Sequence, residues 1–251
     1  MIKIRNEEAV GWEHAIRGAR NPMNSWAKSD TIFIEDGEFH DILGFSGPVA
    51  KSNMKTGEKY IDIGNADYDL LERLCKAGTD HRKFMRMITV YADITAPLFW
   101  WKEFDTYKVG TVANSCSTMH KIHEKPFSVN DISCDELMKG NLADVDNNLL
   151  APELKAHYKH MTNVLASLNN LRDLYLKTKD KRYWRCMIEM LPSSYNQKRT
   201  VMLNYEVLAN IYKSRKNHKL HEWHVFCDWI KSLPYNELIT GEFDKEAVEC
   251  S

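Results

Sequence analysis

The stretch from Ala151 to Lys177 constrains this chain most. Leu154, Tyr158, Met161, Val164, Leu165, Leu168, Leu171, Leu174 and Tyr175 recur along it at helical spacing. A helix of that length with an apolar stripe has to bury the stripe against other elements. The residues that follow repeat the theme. Lys181 to Met190 reads as a second helix, stopped by Leu191-Pro192. KRTVML then suggests a short strand, and NYEVLANIYKSR a helix with Asn204 as its N-cap. HKLHEWHVFCDWIKSL reads as the last clear helix, ended by Pro234.

The first half is mixed. Glu7 to Arg17 reads as a short helix capped by Asn6. Thr31–Glu35 reads as a strand before an Asp36-Gly37 turn, and Gly44 to Gly57 as a mobile polar loop. ADYDLLERLCKAG places Leu70, Leu71 and Leu74 on one helical face and stops at Gly78. FMRMITVYADI suits a strand with Phe84, Met87 or Ile88, and Val90 facing a core. Pro97 prevents a central strand from continuing and opens a helix through APLFWWKEFDTYK. The fold class expected is therefore mixed α+β and helix-rich, without βαβ alternation. No Pro/Gly/Ser-rich linker interrupts the 251 residues, so residues 1–251 read as a single domain.

Charge and composition exclude several function classes. Lys+Arg is 34 and Asp+Glu is 35, a formal net charge of -1, which argues against a nucleic-acid polymer as partner. A local basic pocket for a small anion stays open. No run approaches the ~18 apolar residues of a membrane span. The N-terminal MIKIRNEEAVGWEH carries charges where a signal peptide needs apolar residues, and the six cysteines are scattered without a CxxC pair. A cytoplasmic protein with reduced thiols and no structural metal is the expectation.

The chain contains no GxGxxG, GxxxxGK[ST], GxSxG or HExxH. His218, His221 and His224 spread over roughly 600° of helical rotation, so a solvated helix face is favoured over a zinc site. Trp100-Trp101 with Phe99 and Phe104 could form an aromatic platform, but a buried helix end is the commoner outcome. Lys198, Arg199, Lys213, Arg215, Lys216 and Lys219 fall within one short stretch. Arg215 ends an apolar helix, where a guanidinium can either grip a phosphate or complement the helix dipole.

Two blocks, residues 70–120 and 187–234, together resemble the core blocks of the flavin-dependent thymidylate synthases in order and spacing. In the second, Leu191-Pro192, Asn204, Asn210 and Arg215 match the family spacing. The resemblance implies that Asn204 and Asn210 hold FAD and that Arg215 holds the nucleotide. It places His81 at the family's flavin-contacting His, although the companion Glu is Arg86 here. The family's Arg-His-Arg becomes Thr106-Tyr107-Lys108, the preceding Gln becomes Glu103, and an Asn-x-x-Ser survives as Asn114 to Ser117 with one extra residue. Its final Arg becomes Met119.

By this resemblance Ser117 sits beside the substrate in the catalytic role, and Lys108 and Glu103 join Arg215 in binding it. The implied reaction is reductive methylation of dUMP to dTMP, using FAD, methylenetetrahydrofolate and NADPH, in a homotetramer. The implied partner is a pyrimidine deoxynucleotide, and the changed triad leaves two alternatives: a flavoenzyme acting on another pyrimidine nucleotide, or a non-catalytic nucleotide-binding protein.

Overall fold

A computed structural model describes residues 2–35, 59–135 and 151–243. The strands are β1 (Lys3–Val10), β2 (Ile32–Glu35), β3 (Lys59–Asp62), β4 (Thr89–Pro97), β5 (Val112–Ser115) and β6 (Asn196–Asn204). The helices are α1 (Trp12–Arg20), α2 (Asn65–Lys76), α3 (Leu98–Phe104), α4 (Thr118–Lys121), α5 (Ala151–Thr178), α6 (Lys181–Met190), α7 (Tyr205–Arg215), α8 (His221–Lys231) and α9 (Glu237–Thr240). One sheet has the order β1-β4-β6-β5, and β2 pairs antiparallel with β3. This is the helix-rich α+β class expected.

The chain packs as two compact units. One comprises Met1–Lys3, Ile94–Thr106 and Asn114–Arg199; the other comprises Ile4–Asp93, Tyr107–Ala113 and Thr200–Ser251. Neither is a continuous stretch, and β4 and β6 each contribute residues to both.

In the first unit, α5 and α6 supply Leu165, Leu168 and Met187 to a core with Ile122, Phe127 and Ile132. Asn169, on α5, accepts from the Phe127 amide at 2.7 Å and donates to its carbonyl at 2.9 Å, pairing both polar groups of an otherwise unladdered backbone. Most of the α5 stripe is only half-buried, and the side chain of Leu154 lies outside the described residues. The bounds of α6 match the expectation, as does the stop at Leu191-Pro192.

In the second unit, Trp12, Leu208, Ile211, Trp223, Phe226 and Ile230 are buried. The Trp12 and Tyr205 rings meet edge-on at 5.2 Å. Phe84, Ile88 and Val90 are buried whereas Met87 is exposed, but the strand starts later than FMRMITVYADI suggested: Lys83–Arg86 form a 3-10 turn and β4 begins at Thr89. The Asp36-Gly37 turn and the Gly44–Gly57 loop lie outside the described residues.

The expected helix over Glu7 to Arg17 is corrected. Residues 3–10 form β1, at one end of the sheet beside β4, and the helix begins at Trp12. Asn6 is a strand residue at φ +54°, and the turn into α1 is made at Gly11, φ +90°. A Cβ on Gly11 would lie 2.2 Å from the Met87 carbonyl oxygen, so both conformation and space require glycine. Helix formers in NEEAV are overridden by sheet pairing. The last long helix likewise starts at His221, later than HKLHEWHVFCDWIKSL suggested.

Candidate functional site

The second unit contains the α7 set. Asn204 ends β6 in an extended conformation, and its Oδ1 accepts from the Val207 amide at 3.0 Å, the N-cap expected. The cap residue also supports a loop: Gly110, at φ +79°, would bring a Cβ 2.9 Å from Asn204 Nδ2 and 3.2 Å from Val207 Cγ2. Asn210, midway along α7, is exposed.

Arg215 ends α7. Its Nε donates to the Tyr107 hydroxyl at 2.9 Å. Its guanidinium carbon lies 4.7 Å from the Trp223 ring centroid and 5.7 Å from that of Tyr107. The Trp223 ring is fully buried, so this cation–π contact forms against a surface water does not reach. Tyr107 and His218 each approach Trp223 edge-on at 6.2 Å. Lys108, next along the loop, is exposed.

His81 is exposed in the turn after α2, where its amide donates to the Gly78 carbonyl at 3.0 Å. The adjacent Arg82 holds this turn to α7. Its Nη2 donates to Glu206 Oε1 at 3.0 Å, and its Nε lies 2.8 Å from Oε2. Glu206 is buried in the first turn of α7, where a carboxylate also suits the helix dipole.

The metal reading of the histidine triplet gains no geometry. His218 Nδ1 accepts from the Leu220 amide at 3.2 Å, and His224 Nε2 donates to the His218 carbonyl at 2.5 Å. Among the described residues no group of three or more His, Cys, Asp or Glu could hold a metal ion.

The first unit contains Ser117 and Glu103. Ser117 caps α4, its Oγ accepting from the His120 amide at 3.0 Å. It lines a cleft of about 290 Å³ with Lys121, Phe127, Tyr195, Gln197 and Lys198. Glu103 is half-buried on α3 and is not among the lining residues. Trp100, Trp101 and Phe104 are fully buried, so the aromatic segment is core.

One face of Trp101 nevertheless carries a charge that spacing did not reveal. The Arg199 guanidinium stacks 4.2 Å from the ring, donates to Asp105 at 2.7 Å and donates to Gln197 Oε1 at 3.0 Å. Gln197 Nε2 in turn donates to the Cys116 carbonyl at 3.1 Å, immediately before Ser117. The sequence showed Arg199 as one of several basic residues; nothing in its spacing tied it to Trp101 or Asp105.

Thiol chemistry is restricted by burial. It pushes the Cys75 thiol up to about 12 and that of Cys227 to about 11, so neither supplies thiolate near neutral pH. Cys75, Cys116, Cys134, Cys186 and Cys227 form no disulfide. No described helix is long and apolar enough to cross a membrane.

No family model matches the sequence, and no curated protein does. Solved structures match over nearly the whole chain. Thymidylate synthase X from Helicobacter pylori, solved with FAD and dUMP, superposes with a TM-score of 0.59 at 16% identity, over 95% of this chain and 96% of that one. A second structure of the Helicobacter pylori enzyme, complexed with FAD and dUMP, gives 0.57 at 17% identity, over 94% and 96%. The UMP/dUMP methylase PolB from Streptomyces cacaoi, bound to 5-Br dUMP, gives 0.57 at 11% identity, over 97% and 95%. The architecture of this chain is therefore that of the flavin-dependent thymidylate synthases, reached with very little shared sequence.

Proposed function

We propose that this chain is an FAD-dependent pyrimidine-nucleotide methyltransferase that converts dUMP to dTMP. The observation that carries the reading is the fold: end to end, it is that of enzymes solved with dUMP or its 5-bromo analogue. Methylenetetrahydrofolate as carbon donor, NADPH as reductant and a cytoplasmic homotetramer complete the proposal. We keep residues 1–251 as one domain, since the two units share strands and neither is a continuous segment.

The residues present fit FAD in part. His81 and Asn210 offer an exposed imidazole and an exposed amide, and the Arg82–Glu206 pair fixes the His81 turn to α7. Asn204 commits its carbonyl to the helix cap, so its Nδ2 is the group left to serve a ligand. Bound reduced flavin supplies the electrons this methylation consumes. The chain's own residues bind and orient: Arg215 holds the nucleotide phosphate, Lys108 and Glu103 assist, and the Ser117 hydroxyl orients the pyrimidine.

The test is direct. Titrating the purified protein with FAD should give the shifted flavin absorbance of a bound cofactor, and dUMP should perturb it further. Arg215→Ala should weaken dUMP binding by about 1.5–3 kcal/mol, the value of a charged hydrogen bond. A protein that neither binds flavin nor loses dUMP affinity in Arg215→Ala overturns the reading.

One observation favours a second reading, action on another pyrimidine nucleotide. Thr106-Tyr107-Lys108 stands where the family signature has Arg-His-Arg, and one solved relative is a UMP/dUMP methylase. Comparing product formation from dUMP, UMP and dCMP decides between the two; dTMP as the dominant product eliminates the alternative.

A further inference from the structure

The loop that follows α3 touches α7 at both ends. Gly110 packs on Asn204 and Val207 at the N-terminal end, and Tyr107 meets Arg215 at the C-terminal end, about 16 Å away along the helix axis. Glycine is required at the first point by its positive φ and by the closeness of the Asn204 amide. The strap is thus pinned beside the helix cap and delivers one phenol to one guanidinium.

That phenol fixes a group with many alternatives. An arginine at the end of a helix has four side-chain torsions to lose, and the stacking surface of Trp223 restrains the guanidinium plane without choosing its in-plane rotation. The Nε–Oη bond of 2.9 Å sets that rotation, because Nε is the one nitrogen on the arm side of the fork. The Nη1–Nη2 edge lies opposite the arm by covalent geometry and is the edge that can grip a phosphate with two parallel N–H groups; the Tyr107 bond at Nε helps to aim it.

We propose that Tyr107 is the positioning residue for Arg215, orienting its guanidinium for a nucleotide phosphate. This rests on the reading that Arg215 binds that phosphate. Tyr107 does not touch the substrate in this account; it acts through Arg215, and its hydroxyl rather than its ring carries the effect.

The experiment compares wild type, Tyr107→Phe, Arg215→Ala and the double variant, with dUMP and deoxyuridine as ligands in calorimetry. Tyr107→Phe keeps the ring on Trp223 and removes only the acceptor. It should weaken dUMP binding about tenfold, the size of one ordinary hydrogen-bond contribution, and leave deoxyuridine unchanged. In the Arg215→Ala background the same change should have no effect on dUMP. A merely structural tyrosine would weaken both ligands alike and act equally in both backgrounds, which overturns the proposal.

A second readout needs no ligand. The Arg215 Nε–H resonance, identified by its loss in Arg215→Lys, should exchange slowly in wild type and rapidly in Tyr107→Phe; equal exchange overturns the proposal. If Arg215→Ala leaves dUMP affinity intact, or wild type does not bind dUMP, the phosphate role of Arg215 fails and the positioning role falls with it. If Arg215→Ala weakens dUMP while Tyr107→Phe does not, only the role of Tyr107 fails.

Discussion

Arg20 Nε donates to Asp67 Oδ1 at 2.5 Å, and both side chains are sealed from solvent. The other carboxylate oxygen accepts from the Ser29 hydroxyl at 2.7 Å, the Asp30 and Thr31 amides at 3.0 Å each, and the Thr31 hydroxyl at 2.7 Å. One carboxylate of α2 thereby gathers the end of α1 and the segment leading into β2. Burial pushes the Asp67 carboxyl up, but the bonds from Thr31, Ser29 and Arg20 outweigh it and hold the group below the ordinary carboxyl range.

A carboxyl depressed on folding stabilises the folded state above its unfolded pKa, and the contribution is lost as pH falls through the folded value. Asp67→Asn should cost about 3–5 kcal/mol near neutral pH, since it leaves the Arg20 charge buried without its partner. Urea midpoints measured from neutral to strongly acidic pH should show a shallower acid limb in the variant. An acid limb of unchanged steepness would remove Asp67 from the explanation of acid sensitivity.

Gly110 and Asn204 should behave as a coupled pair. Asn204→Ala removes a helix cap, a loss of about 0.5–2 kcal/mol. Gly110→Ala forces a side chain into left-handed backbone and against the Asn204 amide, at about 1–3 kcal/mol. The double variant should cost less than the two singles summed, because the shortened residue 204 no longer crowds the new methyl. Additive denaturant midpoints would show that the loop and the cap are energetically separate.

Arg199→Lys is expected to fail as a conservative change. An ammonium cannot stack flat on Trp101 while bonding both Asp105 and Gln197. Loss of about 1–3 kcal/mol should accompany a change in tryptophan emission, with Arg199→Ala little worse than Arg199→Lys. Full stability in Arg199→Lys would show that charge alone, without the planar fork, suffices there.

The helices of the second half were legible because their signals are local. Asn204 caps α7 through an amide three residues on, and Leu191-Pro192 stops α6 through proline's missing donor. β1 was not legible: its residues favour helix, and the strand exists through β4, a partner far along the chain. The candidate site divides in the same way. Asn204, Asn210 and Arg215 lie on or beside one helix, so the family's spacing could group them through the resemblance. Tyr107 and Arg215 are 108 residues apart, and Asp105 and Arg199 are 94 apart. A hydroxyl and a guanidinium carry no mark in sequence that says they will meet; only the closing of the fold creates the pair.

Because the two units interleave, the order of synthesis matters to the order of folding. Trp12 leaves the ribosome long before its ring partners Tyr205 and Tyr235 are made. The helix that Trp12 opens must therefore wait, its tryptophan without those two rings, until Tyr205 and Tyr235 have been translated. Shortening the gene from its 3′ end before the codon for Tyr205 should yield an aggregating product rather than a smaller folded one.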